Sequence, residues 1–130
     1  MSHHHRLAYV DEHRWVALCR HGVLHIRWNY FSFHLPLSGF RHLLTVLVEG
    51  TSKPFDGPVE QEAYRLRFRD DGLFQLHVGM LVCWFSVMDM ILFRNMLLLA
   101  NGALAQTDLV EDTTKAPPID SLLNIPFSTN

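Results

Sequence analysis

Nine histidines among 130 residues are the first feature that could carry chemistry, because neutral imidazole binds metals and exchanges protons near neutral pH. A metal site would set two of them on one helix face or one strand face, with an acid or cysteine nearby. His21 and His25 are four apart, but Gly22 between them marks a turn, so helical geometry does not apply. His25, His34 and His77 are expected on one solvated strand face, where they could converge across strands. Hydrated or hydrogen-bonded strand histidines are far commoner than ligands, so neither a metal nor a cofactor is assigned.

Nucleophilic chemistry finds less support. The sequence has no GxSxG elbow, HExxH pair, P-loop or GxGxxG opening a helix. Asp70-Asp71 is better explained by a turn than by paired acid–base work. Cys19 and Cys83 lie 64 positions apart in apolar runs, without CxxC spacing, and are read as small buried hydrophobes. No residue is assigned a catalytic role. Unbridged cysteines suit a reducing cytoplasm, which is the expected compartment.

Arginines offer a third possibility. They interleave with aromatics in Arg27-Trp28-Asn29-Tyr30-Phe31 and from Tyr64 to Arg69, a pattern that can hold phosphates and stack bases. Alternation, however, sends Tyr64 and Phe68 to the face opposite Arg65, Arg67 and Arg69. Net charge is −2 with histidine neutral, which argues mildly against a general nucleic-acid binder. The charge is unevenly spread. His13 to Val48 contains four arginines, five histidines and no acid, whereas Asn101 to Asn130 contains four acids against Lys115. An acidic tail packing back over a basic body is the plain reading of that asymmetry.

The elements that would position these residues can be read from periodicity. Tyr64 to Arg69 alternates apolar residues with arginine, as a strand with one buried and one wet face does. Asp70-Asp71-Gly72 supplies a hairpin turn, Leu73 to Val78 a second strand, and Leu81 to Phe85 a third. Ser86 then caps a helix from Val87 to Ala100, closed by Asn101-Gly102. The first half follows the same plan: strands from Trp15 to Arg20, from Val23 to Trp28 and from Phe31 to Leu35. A helix then runs from Pro36 to about Glu49, ended by Gly50, with Phe40, Leu43, Leu44 and Leu47 as its apolar stripe.

The expectation is a single α+β domain over 1–130, with a largely antiparallel sheet of about six strands and two main helices on one face. A shift of fifty positions aligns residues 14–50 with 63–102 in pattern, which suggests a βββα duplication joined by Thr51–Glu62. Convergent antiparallel patterning would give the same likeness. Residues 103–130 are expected to dock on the body through Leu122, Leu123, Ile125 and Phe127. Trp15, Ile26, Phe33, Leu66, Phe68 and Leu76 are assigned to the core face. The outer face then carries His25, Arg27, His34, Arg65, Arg67, Arg69 and His77 as a candidate anion-binding surface. The His3-His4-His5 run carries no functional weight.

Between Met80 and Ala100 only Ser86, Asp89, Arg94 and Asn95 are polar. A helix apolar nearly all round is buried on more than one side, and a chain this size has little to bury it with. A homodimer or another protein partner, held through Met88, Ile91, Leu92, Met96 and Leu99, is the preferred explanation. A transmembrane helix is the disfavoured rival, because Asp89 and Arg94 would each cost about 2.5–3.5 kcal/mol near the bilayer centre. The functional expectation is therefore a small soluble non-enzymatic protein acting by association. Its alternative is anion or nucleic-acid binding on the Arg/His face.

Overall fold

A computed structural model describes residues 4–106. It contains eight strands and two long helices, an α+β architecture built from two antiparallel four-stranded sheets. The first sheet is a meander of β1 (His4–Asp11), β2 (Arg14–Cys19), β3 (Val23–Trp28) and β4 (Phe31–Pro36). Helix α1 (Leu37–Ser52) follows directly. A short 3-10 turn (Pro54–Asp56) leads into the second meander. That sheet comprises β5 (Val59–Gln61), β6 (Tyr64–Phe68), β7 (Phe74–Val78) and β8 (Leu81–Phe85), and α2 (Val87–Leu104) completes the order. The proposed tail contacts fall on 107–130, outside the described residues.

The expected single sheet of about six strands is thus replaced by two sheets of four. The two unforeseen strands are the first of each meander. Register shifts interrupt β1 between Arg6 and Ala8 and between Tyr9 and Asp11, which breaks its period-two pattern. Leu7 and Ala8 are consecutive and both buried, beside the register shift between Arg6 and Ala8. β5 is three residues long and too short to show a period.

The chain groups into two compact units. One contains the first sheet, the start of α1 and the part of α2 from Asn95. Within it Val16, Ile26 and Phe33 form one buried row across β2, β3 and β4, and Leu18, Leu24 and Leu35 form the next. The other unit contains α1 from Arg41, the second sheet, and α2 to Arg94. There Leu66, Leu76 and Cys83 make one buried row, and Phe74 and Phe85 are buried in the next beside half-buried Phe68. The Phe85 and Phe93 rings meet at 5.0 Å between centroids. Arg94, whose guanidinium pKa burial lowers, donates from Nη1 to Thr51 Oγ1 at 3.1 Å.

Register and turns recur at a spacing of fifty residues. Trp15 pairs with Arg27 as Arg65 does with His77, and Leu24 pairs with Leu35 as Phe74 does with Phe85. Asn29 N donates to His13 O at 2.8 Å, as Gly79 N does to Ala63 O. Asn29 and Gly79 both take positive φ, 54° and 61°. Asparagine is the side chain that best tolerates this region, which is why it can stand where the second unit has glycine.

Both helices outrun their expected ends. Ser86 Oγ accepts from Asp89 N at 3.1 Å, so the N-cap of α2 forms as its sequence suggests. Asn101 and Gly102 do not close α2, which continues to Leu104. Gly50 likewise lies inside α1. A Cβ there would stand 2.6 Å from Leu66 Cδ2 and 3.3 Å from Leu66 Cβ, so this glycine lets the helix approach β6 closely. Gly102 has open space around it.

These two glycines should respond oppositely to alanine. Gly50→Ala is expected to destabilise by about 1–3 kcal/mol through overpacking against buried Leu66. Gly102→Ala should stabilise by up to about 1 kcal/mol through helix propensity. Urea unfolding of both variants checks the pair.

Candidate functional site

Three surfaces deserve comparison: the β8–α2 segment and the outer face of each sheet. β8 is an edge strand, hydrogen-bonded to β7 and to no other strand among the described residues. Its sequence Leu-Val-Cys-Trp-Phe has neither charge nor proline. Edge strands usually carry such residues to discourage unwanted pairing. Cys83 and Phe85 point into the core, while Val82 and Trp84 lie on the outer face, Trp84 at 48% exposure. Met80, in the turn before it, is 100% exposed, and Leu81 is exposed too.

The exposed apolar character continues into α2. Val87, Met88 and Leu92 are exposed, and Met88, Leu92, Asn95 and Leu99 fall on one helical stripe at 100° per residue. Ile91 flanks that stripe and is half-buried. Met96 does not belong to it. It is 1% exposed, because one residue beyond Asn95 the helix has turned about 100° away from solvent. Of the expected interface set, Met88, Leu92 and Leu99 are therefore open to a partner, Ile91 partly so, and Met96 is core. α2 is also long and apolar enough, by length and composition, to cross a bilayer, with 39% of that window buried within the chain.

The expected cationic face is divided between the two sheets. Arg65, Arg67, Arg69 and His77 belong to β6, β7 and the turn between them. The row Glu60–Arg65–His77–Val82 crosses the outer side, and Arg67–Gln75–Trp84 lies beside it. Acids temper this surface. Glu60 pairs across from Arg65, and Asp71 Oδ2 accepts from Arg69 Nη2 at 3.1 Å and Nε at 3.2 Å. The Arg69 guanidinium also lies 4.8 Å from the Trp84 ring centre. His77 Nε2 and Gln75 Nε2 are 3.1 Å apart. Tyr64 is buried opposite the arginines as expected, but Trp84 shares their side.

His25, Arg27 and His34 stand on the outer side of the first sheet. Rows Arg6–Ala17–His25–His34 and Tyr9–Trp15–Arg27–Ser32 cross it. Trp15 is thus on the wet side, half-buried, and not in the core face where alternation along β2 had assigned it. Val16 and Leu18 take the inward positions. The His25 and His34 rings are 4.2 Å apart, tilted by 46°. The Arg6 guanidinium lies 4.3 Å from the Tyr9 ring centre, and Arg27 Nε donates to Asn29 O at 2.7 Å. Trp15 Nε1 donates to Glu12 O at 3.3 Å.

No cluster of three or more His, Cys, Asp and Glu residues that could hold a metal occurs among the described residues. Both cysteines are free. Burial pushes the Cys83 thiol up to about 11, so it is almost wholly protonated at neutral pH. Comparison with protein-family models, with curated proteins and with solved structures yields no match.

Thiol labelling separates the two cysteines. At pH 7.5 the native protein is expected to alkylate at half-buried Cys19 and to spare Cys83 until denaturant is added. Peptide mapping after brief iodoacetamide treatment reads this directly, and labelling of Cys83 in the native state would contradict its place in the core.

Proposed function

We propose that this chain is a non-enzymatic association module that pairs with a second copy of itself through β8 and the first turns of α2. One observation carries the reading. Of the thirteen large hydrophobic side chains exposed among the described residues, seven fall between Met80 and Leu92. They surround an edge strand that has no device against pairing. A strand that meets its own copy antiparallel across a two-fold axis satisfies the open edge of both at once. It also brings each residue's patch onto its counterpart.

Such a dimer would join two four-stranded sheets into one of eight strands. Backbone hydrogen bonds would give register, while Met80, Val82, Trp84, Val87 and Met88 would supply the apolar area. Trp84 is the natural anchor, since large aromatics in the middle of an interface carry a disproportionate share of binding energy. Free thiols favour a protein of the reducing cytoplasm over a secreted one. The fifty-residue recurrence of registers and turns favours descent from a duplicated unit, which is ββββα and not βββα.

Light scattering coupled to size exclusion at two concentrations tenfold apart tests the association. A dimer mass is expected for the native chain. Val82→Lys, which puts a charge on the exposed side of the edge strand, should shift the equilibrium to monomer with little change in unfolding midpoint. A native monomer at both concentrations would overturn the reading.

A further inference from the structure

The apolar edge at β8 carries a second chemistry. Four methionines lie among the described residues, and burial divides them into two pairs. Met90 and Met96 are 0% and 1% exposed, whereas Met80 and Met88 are 100% and 67% exposed. Both open thioethers flank β8, Met80 in the turn that enters it and Met88 in the first turn of the helix that follows. We propose that Met80 and Met88 are a modification site through which hydroperoxides control self-association, oxidation to the sulfoxides releasing the paired copies. The inference rests on the pairing of β8 proposed above.

Backbone geometry explains why these two side chains act together. Arg69 N donates to Leu73 O and Gly79 N to Ala63 O, so the odd-numbered residues of β7 turn their backbone groups to β6. The even-numbered ones turn theirs to β8, where Phe74, Leu76 and Val78 face Phe85, Cys83 and Leu81. The amides and carbonyls of Val82 and Trp84 are left pointing away from the sheet. An antiparallel pairing of two copies satisfies both residues within the strand only when Val82 meets the partner's Trp84, which sets Cys83 on the two-fold axis. That register brings Met80 opposite the partner's Ser86, at the threshold of the helical turn that exposes Val87 and Met88. The axis makes this contact twice.

The reaction needs only an oxygen donor and an exposed sulfur. A thioether lone pair attacks one peroxide oxygen; the O–O bond breaks, an S–O bond forms, and the proton passes to the departing oxygen, which leaves hydrogen peroxide as water. Sulfur loses two electrons and the peroxide gains them. Two thiols reverse the step under methionine sulfoxide reductases, giving thioether, water and a disulfide. The sulfoxide replaces a flexible apolar side chain by a polar one. In the free chain this costs little, because both side chains stand in water. In the pair it strands a polar oxygen in an apolar contact, at about tenfold in affinity per group. Linkage works both ways: pairing shields the sulfurs, and oxidation opposes pairing.

Light scattering before and after hydrogen peroxide treatment of the full chain, with peptide mass mapping of the same samples, tests the inference. Sulfoxide is expected at Met80 and Met88 and not at Met90 or Met96, and it should form more slowly as protein concentration rises. The dissociation constant of the doubly oxidised chain should rise at least about hundredfold, with unchanged far-ultraviolet circular dichroism. Methionine sulfoxide reductases with dithiothreitol should restore the dimer. Met80→Leu/Met88→Leu, which keeps the apolar volume and removes both sulfurs, should stay dimeric through the same treatment. Met80→Gln/Met88→Gln should be monomeric without peroxide. A doubly oxidised chain that remains fully dimeric overturns the inference and leaves the pairing of β8 standing. Equal dissociation of the leucine variant also overturns it, since another oxidised group would then be responsible. A chain that is monomeric before peroxide is added overturns the pairing itself, and the inference with it.

Discussion

Each sheet is held by rows of apolar side chains that cross its central strands on one side, Val16–Ile26–Phe33 in the first and Leu66–Leu76–Cys83 in the second. A pleated strand sends successive side chains to opposite sides, so sealing one side dictates what stands on the other. Burying Ile26 obliges His25 and Arg27 to face outward, and burying Leu66 does the same for Arg65 and Arg67. The register then sorts these outward residues into rows. Ala17, His25 and His34 become neighbours because Val16, Ile26 and Phe33 do.

The same constraint leaves a backbone problem that burial alone does not solve. A four-stranded meander has two edges, and only closure or a partner removes an edge. β4 ends at Pro36, and β1 carries two register shifts and exposed Arg6, both features that blunt an edge. β5 is only three residues long. β8 alone combines five strand residues, no bulge, no charge and no proline. Its exposed side chains continue onto α2, so backbone and side chains point to the same kind of partner.

How far this was readable from residues alone depends on whether a segment has a phase. β3 and β6 alternate apolar with Arg or His, so their buried and wet sides follow directly from the sequence. β2 does not: Trp15, Ala17 and Cys19 are as apolar as Val16 and Leu18, and alternation cannot say which set turns inward. Trp15 was misplaced for that reason, and with it the aromatic part of the first sheet's outer face. α2 has the same ambiguity, since a helix apolar all round gives no hint that Met96 is buried and Met88 exposed. Gly50 resembles a helix terminator in sequence. Only the proximity of Leu66, a residue in another element, explains why the helix runs through it.

The central claim is that the outward edge of β8 is the meeting place of two copies, and amide hydrogen exchange resolved to β8 tests it most directly. In a monomer the amides of β8 that face away from β7 exchange at rates close to those of an unstructured strand, at every concentration. Pairing between copies closes them. The account predicts that the alternate amides of residues 81–85 that face away from β7 gain protection as protein concentration rises through the dimerisation range, while protection in β3 stays constant. Rapid, concentration-independent exchange on that edge in a sample whose mass is dimeric would place the interface elsewhere and contradict the account.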